Sequence, residues 1–239
     1  MAYTRLAAGL AAGLAAAVLY AHGFCNVTLL TGRETNNFLK RDTDGFLDSL
    51  SVWDCAARGA DTKNKYKGIA AHAGVSFTTS EAAQVRTAAR TADALLLNHA
   101  DYGVDGRLAA SLPWRIAKVL PSYENGLPHT RSDTIFISEM PDVNTLIHEK
   151  VHVYQRMYPN KIHQYLESAG YERERLRSAD TLIQANPDVD AWTYMHPQTK
   201  KPMRAVHAQG TMPRKIPESD GSEHPYEEIA YSVAAELTS

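Results

Sequence analysis

The sequence predicts an α+β fold with a small mixed sheet and a site helix that carries two histidines. Three observations predict this class. A capping signal at residues 78–81, TTSE, is followed by apolar residues at helical spacing, which indicates a long helix. Residues 134–138, TIFIS, form a β-branched and aromatic run that is typical of a strand. The helix signal Pro141-Asp142 comes next, and the helix that it begins carries the segment HEKVH at residues 148–152.

Composition and charge restrict the kind of protein. The chain has 239 residues, of which 44% are apolar, and this is enough for one packed domain. Its net charge is −2 at pH 7, so no strong field attracts nucleic acid, and we expect no nucleic-acid partner. The two cysteines, Cys25 and Cys55, form no CxxC pair, so a metal ion would have to be held by histidines and carboxylates. A disulfide and two unpaired thiols are both compatible with this pair.

The N-terminal segment differs in composition from the rest of the chain. Arg5 is followed by an uncharged, Ala-rich run over residues 6–21, a pattern typical of a secretory signal peptide. The run is short for a membrane span, which needs about 20 apolar residues. We therefore predict that residues 1–24 are a cleaved signal or a membrane anchor, the alternative being a helix docked on the fold. Residues 25–239 would form the single domain of a secreted or membrane-anchored protein.

Local signals predict the other elements. Residues 36–58 mix apolar and charged side chains, which indicates irregular structure ending in a short helix. Residues 113–120, PWRIAKVL, begin with proline and stop before Pro121, which favours a helix. Further along we expect a helix over residues 161–184 with a break at Gly170, a hairpin-like pair at residues 192–195 and 203–206, a surface loop over residues 209–223 and a last helix over residues 225–237.

The HEKVH segment predicts a metal site. His148 and His152 are four residues apart, so on a helix they lie on one face and can direct their imidazoles at one ion. Glu149 is rotated by about 100° from His148, so it misses the ion but can reach a water molecule bound to it. Zinc lowers the pKa of such a water to about 7, and a carboxylate can then remove its proton. The alternative is an amphipathic helix whose two histidines only line a hydrated boundary.

The helix with HEKVH behind a strand resembles the active-site helix of the zincin metallopeptidases. The resemblance implies a zincin-like domain that binds one Zn²⁺ per chain through two histidines and a third ligand elsewhere. Gln155 and Tyr158 occupy the positions at which metzincins have glycine and histidine, so the third ligand is expected to be a downstream glutamate, as in gluzincins.

Three glutamates compete for the role of third ligand. Glu172 lies 20 residues after His152, a spacing similar to that of thermolysin-like enzymes, but it belongs to the alternating charges YERER, which favour a solvated helix face. Glu227 and Glu228 begin a proline-started helix, and residues 225–230 resemble the Pro-x-Glu-x-x-Ala element of minimal HExxH-plus-Glu proteins. That match falls on Glu227, which we predict as the ligand, with Glu228 and Glu172 as alternatives.

These residues together predict a zinc-dependent peptidase that acts on a peptide or protein substrate. Glu149 would be the general base. Tyr231 lies four residues after Glu227 on the same helix face, and we predict that it donates a hydrogen bond to the oxyanion, with Tyr194, His196 and His207 as alternatives. His129 is a candidate for the rim of the cleft. The alternatives are a non-catalytic zinc-stabilised protein whose site is closed by His224 or His207, and a zinc hydrolase of a non-peptide amide.

Overall fold

The fold is mixed α+β, and the computed structural model describes residues 26–207 and 223–239. Its nine α-helices in this part of the chain are α1 Gly32–Arg41, α2 Phe46–Ser49, α3 Val52–Ala57, α4 Lys63–Ala70, α5 Thr79–Leu96, α6 Gly106–Ser111, α7 Val143–Met157, α8 Pro159–Ser168 and α9 Pro225–Thr238. The strands are β1 Val27–Leu29, β2 Gly74–Val75, β3 Trp114–Val119, β4 His129–Arg131, β5 Thr134–Ile137, β6 Glu172–Leu176, β7 Trp192–Met195 and β8 Pro202–Met203.

Two predicted segments lie outside the described residues. The apolar N-terminal segment, with Cys25, belongs to residues 1–25, and most of the predicted surface loop falls within residues 208–222. The signal or anchor and the loop therefore stay predictions. Within the described ranges, no helix has both the length and the apolar character that a membrane crossing requires.

The main sheet is small and mixed, as predicted. Its strand order is β1-β3-β5-β4, and β2 pairs with β3 on the same side as β1. Strands β1, β3 and β5 are parallel, whereas β2 and β4 are antiparallel to their neighbours. The predicted strand at residues 134–138 is β5, one strand in from the edge strand β4. A second sheet, β6-β7-β8, is antiparallel and includes the predicted hairpin-like pair.

The predicted site helix is α7, and it lies among the sheet and two other helices. Asp142 caps its N-terminus, since the side chain accepts a hydrogen bond from Thr145 N at 2.8 Å. Helix α7 packs along α9 and against α5 and strands β4 and β5. The shared core includes Ile147 and Val151 on α7 and Ile229 on α9. Because these apolar side chains are buried in the core, the rotation of α7 about its axis is fixed.

Lys150, inside the HEKVH segment, anchors α7 on its inner side. Its ammonium group is fully buried, donates to Leu112 O at 2.5 Å and lies 4.0 Å from the centre of the Trp114 ring. Asp93 Oδ1 is 3.7 Å away and balances the charge. Because residues two apart on a helix differ by about 200°, this anchor directs His148 and His152 to the opposite face.

One sequence prediction of secondary structure is wrong and two are wrong in part. The predicted helix over residues 113–120 is instead strand β3, Trp114–Val119, because the segment pairs with strands on both sides. The predicted helix over residues 161–184 ends at Ser168, near the break expected at Gly170 (φ 84°), and the next residues form β6. Residues 36–58 end in a short helix as predicted, α3, which Ser51 caps, but the residues before it are mainly helical rather than irregular, with α1 capped by Thr31.

Candidate metal centre

Helices α7 and α9 bring two histidines and a carboxylate to one point. His148 Nε2 and His152 Nε2 lie 3.2 Å and 3.4 Å from Glu227 Oε2, and 3.0 Å from each other. Tetrahedral zinc with bonds of about 2.0–2.1 Å needs ligand atoms about 3.3 Å apart, which is close to these separations. Two imidazoles and a carboxylate are also ligand types that zinc accepts. The residues present therefore fit a zinc ion.

A neighbour on α7 fixes the orientation of the His152 ring. His152 Nδ1 lies 2.8 Å from Gln155 Oε1, and Gln155 Nε2 donates to Tyr226 O at 2.9 Å. Because an amide oxygen only accepts hydrogen bonds, Nδ1 carries a proton, which leaves Nε2 as the nitrogen that can release its proton and bind an ion. This is the arrangement by which partners outside the ligand set fix a histidine ligand.

The carboxylate of Glu227 is held at both oxygens. Oε2 faces the histidines, and Oε1 accepts a hydrogen bond from Asn186 Nδ2 at 2.6 Å. Burial acts to raise the pKa of Glu227, but His152 and His148 outweigh it and hold this pKa well below its usual range. Conversely, burial acts to lower the pKa of His152, and Glu227 raises it to about 9. Glu227 and His152 therefore stabilise each other's charged form.

Glu149 lies beside the cluster but outside it. Its side chain is only 2% exposed and borders the same cavity as His148. Thr130 Oγ1 on β4 donates to Glu149 Oε2 at 2.9 Å, which leaves Oε1 for another partner. Burial raises the pKa of Glu149 above its ordinary value. A carboxylate with a raised pKa next to a metal site is suited to accept a proton.

Tyr231 lies on the outer side of His148. The two ring centroids are 4.4 Å apart, and Tyr231 is 55% exposed at the mouth of the cavity. Partial burial, with Glu227 as the next cause, raises the pKa of Tyr231 to about 12. Its hydroxyl therefore keeps its proton at neutral pH and can act as a hydrogen-bond donor.

The other candidate ligands have partners elsewhere. Glu228 accepts a hydrogen bond from Tyr171 at 3.1 Å, and Glu172 is an exposed strand residue paired with Lys200. His224 Nε2 lies 3.3 Å from Asp190 Oδ1, and His207 Nε2 lies 3.0 Å from Asp54 Oδ1. Among the described residues, the cluster of possible metal ligands consists of His148, His152 and Glu227.

His129 does not lie at a solvated rim. It borders the cavity, but it is 2% exposed and stacks on Phe136 at 5.1 Å. Its Nδ1 lies 2.9 Å from Leu127 O. Burial lowers the pKa of His129 to about 4, so it is neutral at physiological pH.

Two residues at the site have no counterpart in the sequence predictions. Asn186 bonds to Glu227, and Asp188, which is 7% exposed, accepts a hydrogen bond from Thr130 N. Burial, followed by the charge of Glu149, raises the pKa of Asp188 well above its ordinary value. The segment Asn186-Pro187-Asp188 reads from sequence only as the end of a helix. Asn186 and Asp188 contact residues that are 41 and 58 positions away in the sequence, so no local sequence pattern reveals these contacts.

The site opens into a cavity of about 410 Å³. His148, Glu149, Glu227 and Tyr231 line it on the side of the two helices, and residues 183–190 line the other side. This volume falls within the range of about 300–1,000 Å³ that is usual for small-molecule sites. Comparisons of the chain with protein-family models, with curated proteins and with solved structures find no match.

Proposed function

We propose that this chain is a zinc-dependent hydrolase of peptide bonds with a zincin-like domain. One Zn²⁺ per chain would be held by His148, His152 and Glu227. The observation that carries the proposal is the convergence of three ligand atoms at 3.0–3.4 Å, with Glu149 close by but outside the ligand set. A helix bearing both histidines, packed on a small sheet and met by a second helix, agrees with such a domain.

The chain's own residues supply the rest of the chemistry. Zinc, when bound, polarises a carbonyl and lowers the pKa of water. Glu149 takes a proton from the attacking water and passes it to the amine as the C–N bond breaks. Tyr231 donates a hydrogen bond to the carbonyl oxygen as that oxygen gains charge. Thr130 holds the carboxylate of Glu149 in place through Oε2.

An open site is favoured over a structural one. A structural zinc site needs four protein ligands, whereas a catalytic site keeps one position for water or substrate. Within the described part of the chain three ligands converge, and His224 and His207, which would have closed the site, contact Asp190 and Asp54 instead. The cavity lined by His148, Glu149 and Glu227 leaves room for a substrate. A non-peptide amide would be hydrolysed by the same groups.

The direct test is the Glu149→Gln variant. We expect it to bind zinc as the wild type does and to lose peptide hydrolysis by at least about 10²-fold, because the amide cannot accept the proton. Glu228→Gln is the matched control, since Glu228 is exposed on α9 and contacts Tyr171. Metal content and hydrolysis of peptides and simple acylated amines would be measured on both. An unchanged rate in Glu149→Gln removes this residue from the mechanism.

A further inference from the structure

Side chains cover the outer edge of β4, the edge of the main sheet beside the candidate metal centre. Among the residues that the structure describes, strand β4 pairs with β5 on one side only. The main-chain groups of its central residue, Thr130, contact side chains rather than a strand. Thr130 N donates to Asp188 Oδ1 at 2.5 Å, and Thr130 O accepts from Arg156 Nη2 at 3.3 Å. A carboxylate and a guanidinium thus take the two positions that a neighbouring strand would use.

This edge runs directly alongside the proposed general base. The side chain of Thr130 contacts Glu149 at 2.9 Å while its main chain contacts Asp188. Extended peptides commonly bind a sheet edge by adding a strand, in which main-chain hydrogen bonds supply the affinity. At β4 such a peptide would first have to displace Asp188 and Arg156 from Thr130.

The segment that covers the edge is fixed at several points. Asp188 N donates to Asn186 Oδ1 at 2.7 Å, and Asn186 Nδ2 bonds to Glu227. Arg156, on α7, also donates to Pro187 O. Asp188 is 7% exposed. Displacing the segment would leave a buried carboxyl group without its partners, which is costly. Residues 186–188 are therefore a wall of the cavity.

We propose that this wall limits the substrates to short peptides or other compact amides held within the cavity, and excludes an extended polypeptide paired with β4. The inference rests on the proposed function. The cavity volume of about 410 Å³ agrees with it, because this volume is in the small-molecule range. Such a substrate is bound by the side chains of the cavity, and additional residues of the substrate form no further main-chain hydrogen bonds with β4.

The experiment uses peptide hydroxamates, which bind zinc through their end group. Two series of compounds would be used. In one series the peptide of one, three or five residues lies on the amino side of the hydroxamate, and in the other series it lies on the carboxyl side. Their dissociation constants would be measured by calorimetry on the zinc-loaded wild type, on Asp188→Ala and on Gln184→Ala. Gln184 is the matched control because it lines the same cavity but bonds to Val206 O rather than to β4.

We expect the affinity of the wild type and of Gln184→Ala to change by less than about threefold along either series. In Asp188→Ala, where Thr130 N is released, affinity should rise by about tenfold from one to five residues. A rise of about tenfold or more in the wild type overturns the inference and leaves the metal site intact. If even the shortest hydroxamate fails to bind the zinc-loaded protein, the proposed function itself fails. The wild-type series decides the question if Asp188→Ala does not fold.

Discussion

Asn186 donates its side-chain amide to Glu227 Oε1 at 2.6 Å, so the oxygen that faces the two histidines is Oε2. The residues are 41 positions apart, and the bond joins the loop before β7 to helix α9. The same loop reaches Thr130 through Asp188, and Thr130 bonds to Glu149. A continuous series of hydrogen bonds therefore links the proposed third ligand to the proposed general base.

Removal of the Asn186 amide should weaken zinc binding. In Asn186→Ala the carboxylate of Glu227 loses the partner that fixes its rotation, and we expect the zinc dissociation constant to rise by about 10–100-fold. The measurement is competition with a chelator of known affinity. Asn144→Ala is the matched control, since Asn144 lines the same cavity but bonds to Thr238. Equal zinc affinity in the two variants would show that Asn186 does not position the ligand.

Tyr231 should affect turnover but not metal binding. In Tyr231→Phe the ring still packs on His148 while the hydroxyl is lost, so we expect kcat to fall by about 10²-fold with KM and zinc content unchanged. Tyr171→Phe serves as the control, because Tyr171 bonds to Glu228 outside the cluster. A kcat for Tyr231→Phe equal to that of the control contradicts the role of an oxyanion donor.

His129 should make the zinc-free protein less stable in mild acid. Its pKa is about 4 in the fold against 6.5 in the unfolded chain, so the unfolded state binds the proton first as the pH falls. The contribution of His129 to the free energy of unfolding is zero well above pH 6.5. It becomes destabilising as the pH falls below 6.5, and it stays constant below about pH 4. Between pH 7.5 and 5.5 the wild type should lose about 1.4 kcal/mol more unfolding free energy than His129→Phe.

Urea unfolding of both proteins at the two pH values measures this difference. The phenyl ring of the variant can keep the stacking on Phe136 and has no proton to bind. The same loss of free energy in both proteins would mean that His129 is not buried as a neutral group.

The sequence predicted the core of the candidate site because its signals are local. His148 and His152 are four residues apart on one predicted helix, and Glu227 lies in the first turn of a helix that a proline begins. The structure brings these three side chains to one point, and their role as zinc ligands stays a prediction. Asn186 and Asp188 were missed because their partners, Glu227 and Thr130, are 41 and 58 residues away. No periodicity or capping signal reports contacts over such separations.

Two segments show why local patterns failed elsewhere in the fold. Residues 114–119 form β3 because they pair with β1 on one side and β5 on the other, whereas in the sequence a short apolar run with two cations fits either period. The charges in residues 172–175 indicated a helix with internal ion pairs. They form β6 instead, where Glu172 pairs with Lys200 and Glu174 pairs with Arg204. Tertiary pairing decided both cases.

Elemental analysis of the purified, dialysed protein tests the central claim most directly. The zinc content of variants at Glu227 and at its neighbour Glu228 would be compared, since Glu227 faces the histidines and Glu228 contacts Tyr171. We predict one zinc per chain in the wild type and in Glu228→Ala, and almost none in His152→Ala and Glu227→Ala. A wild type that binds no zinc, or a Glu227→Ala variant that keeps the full amount, would contradict the account.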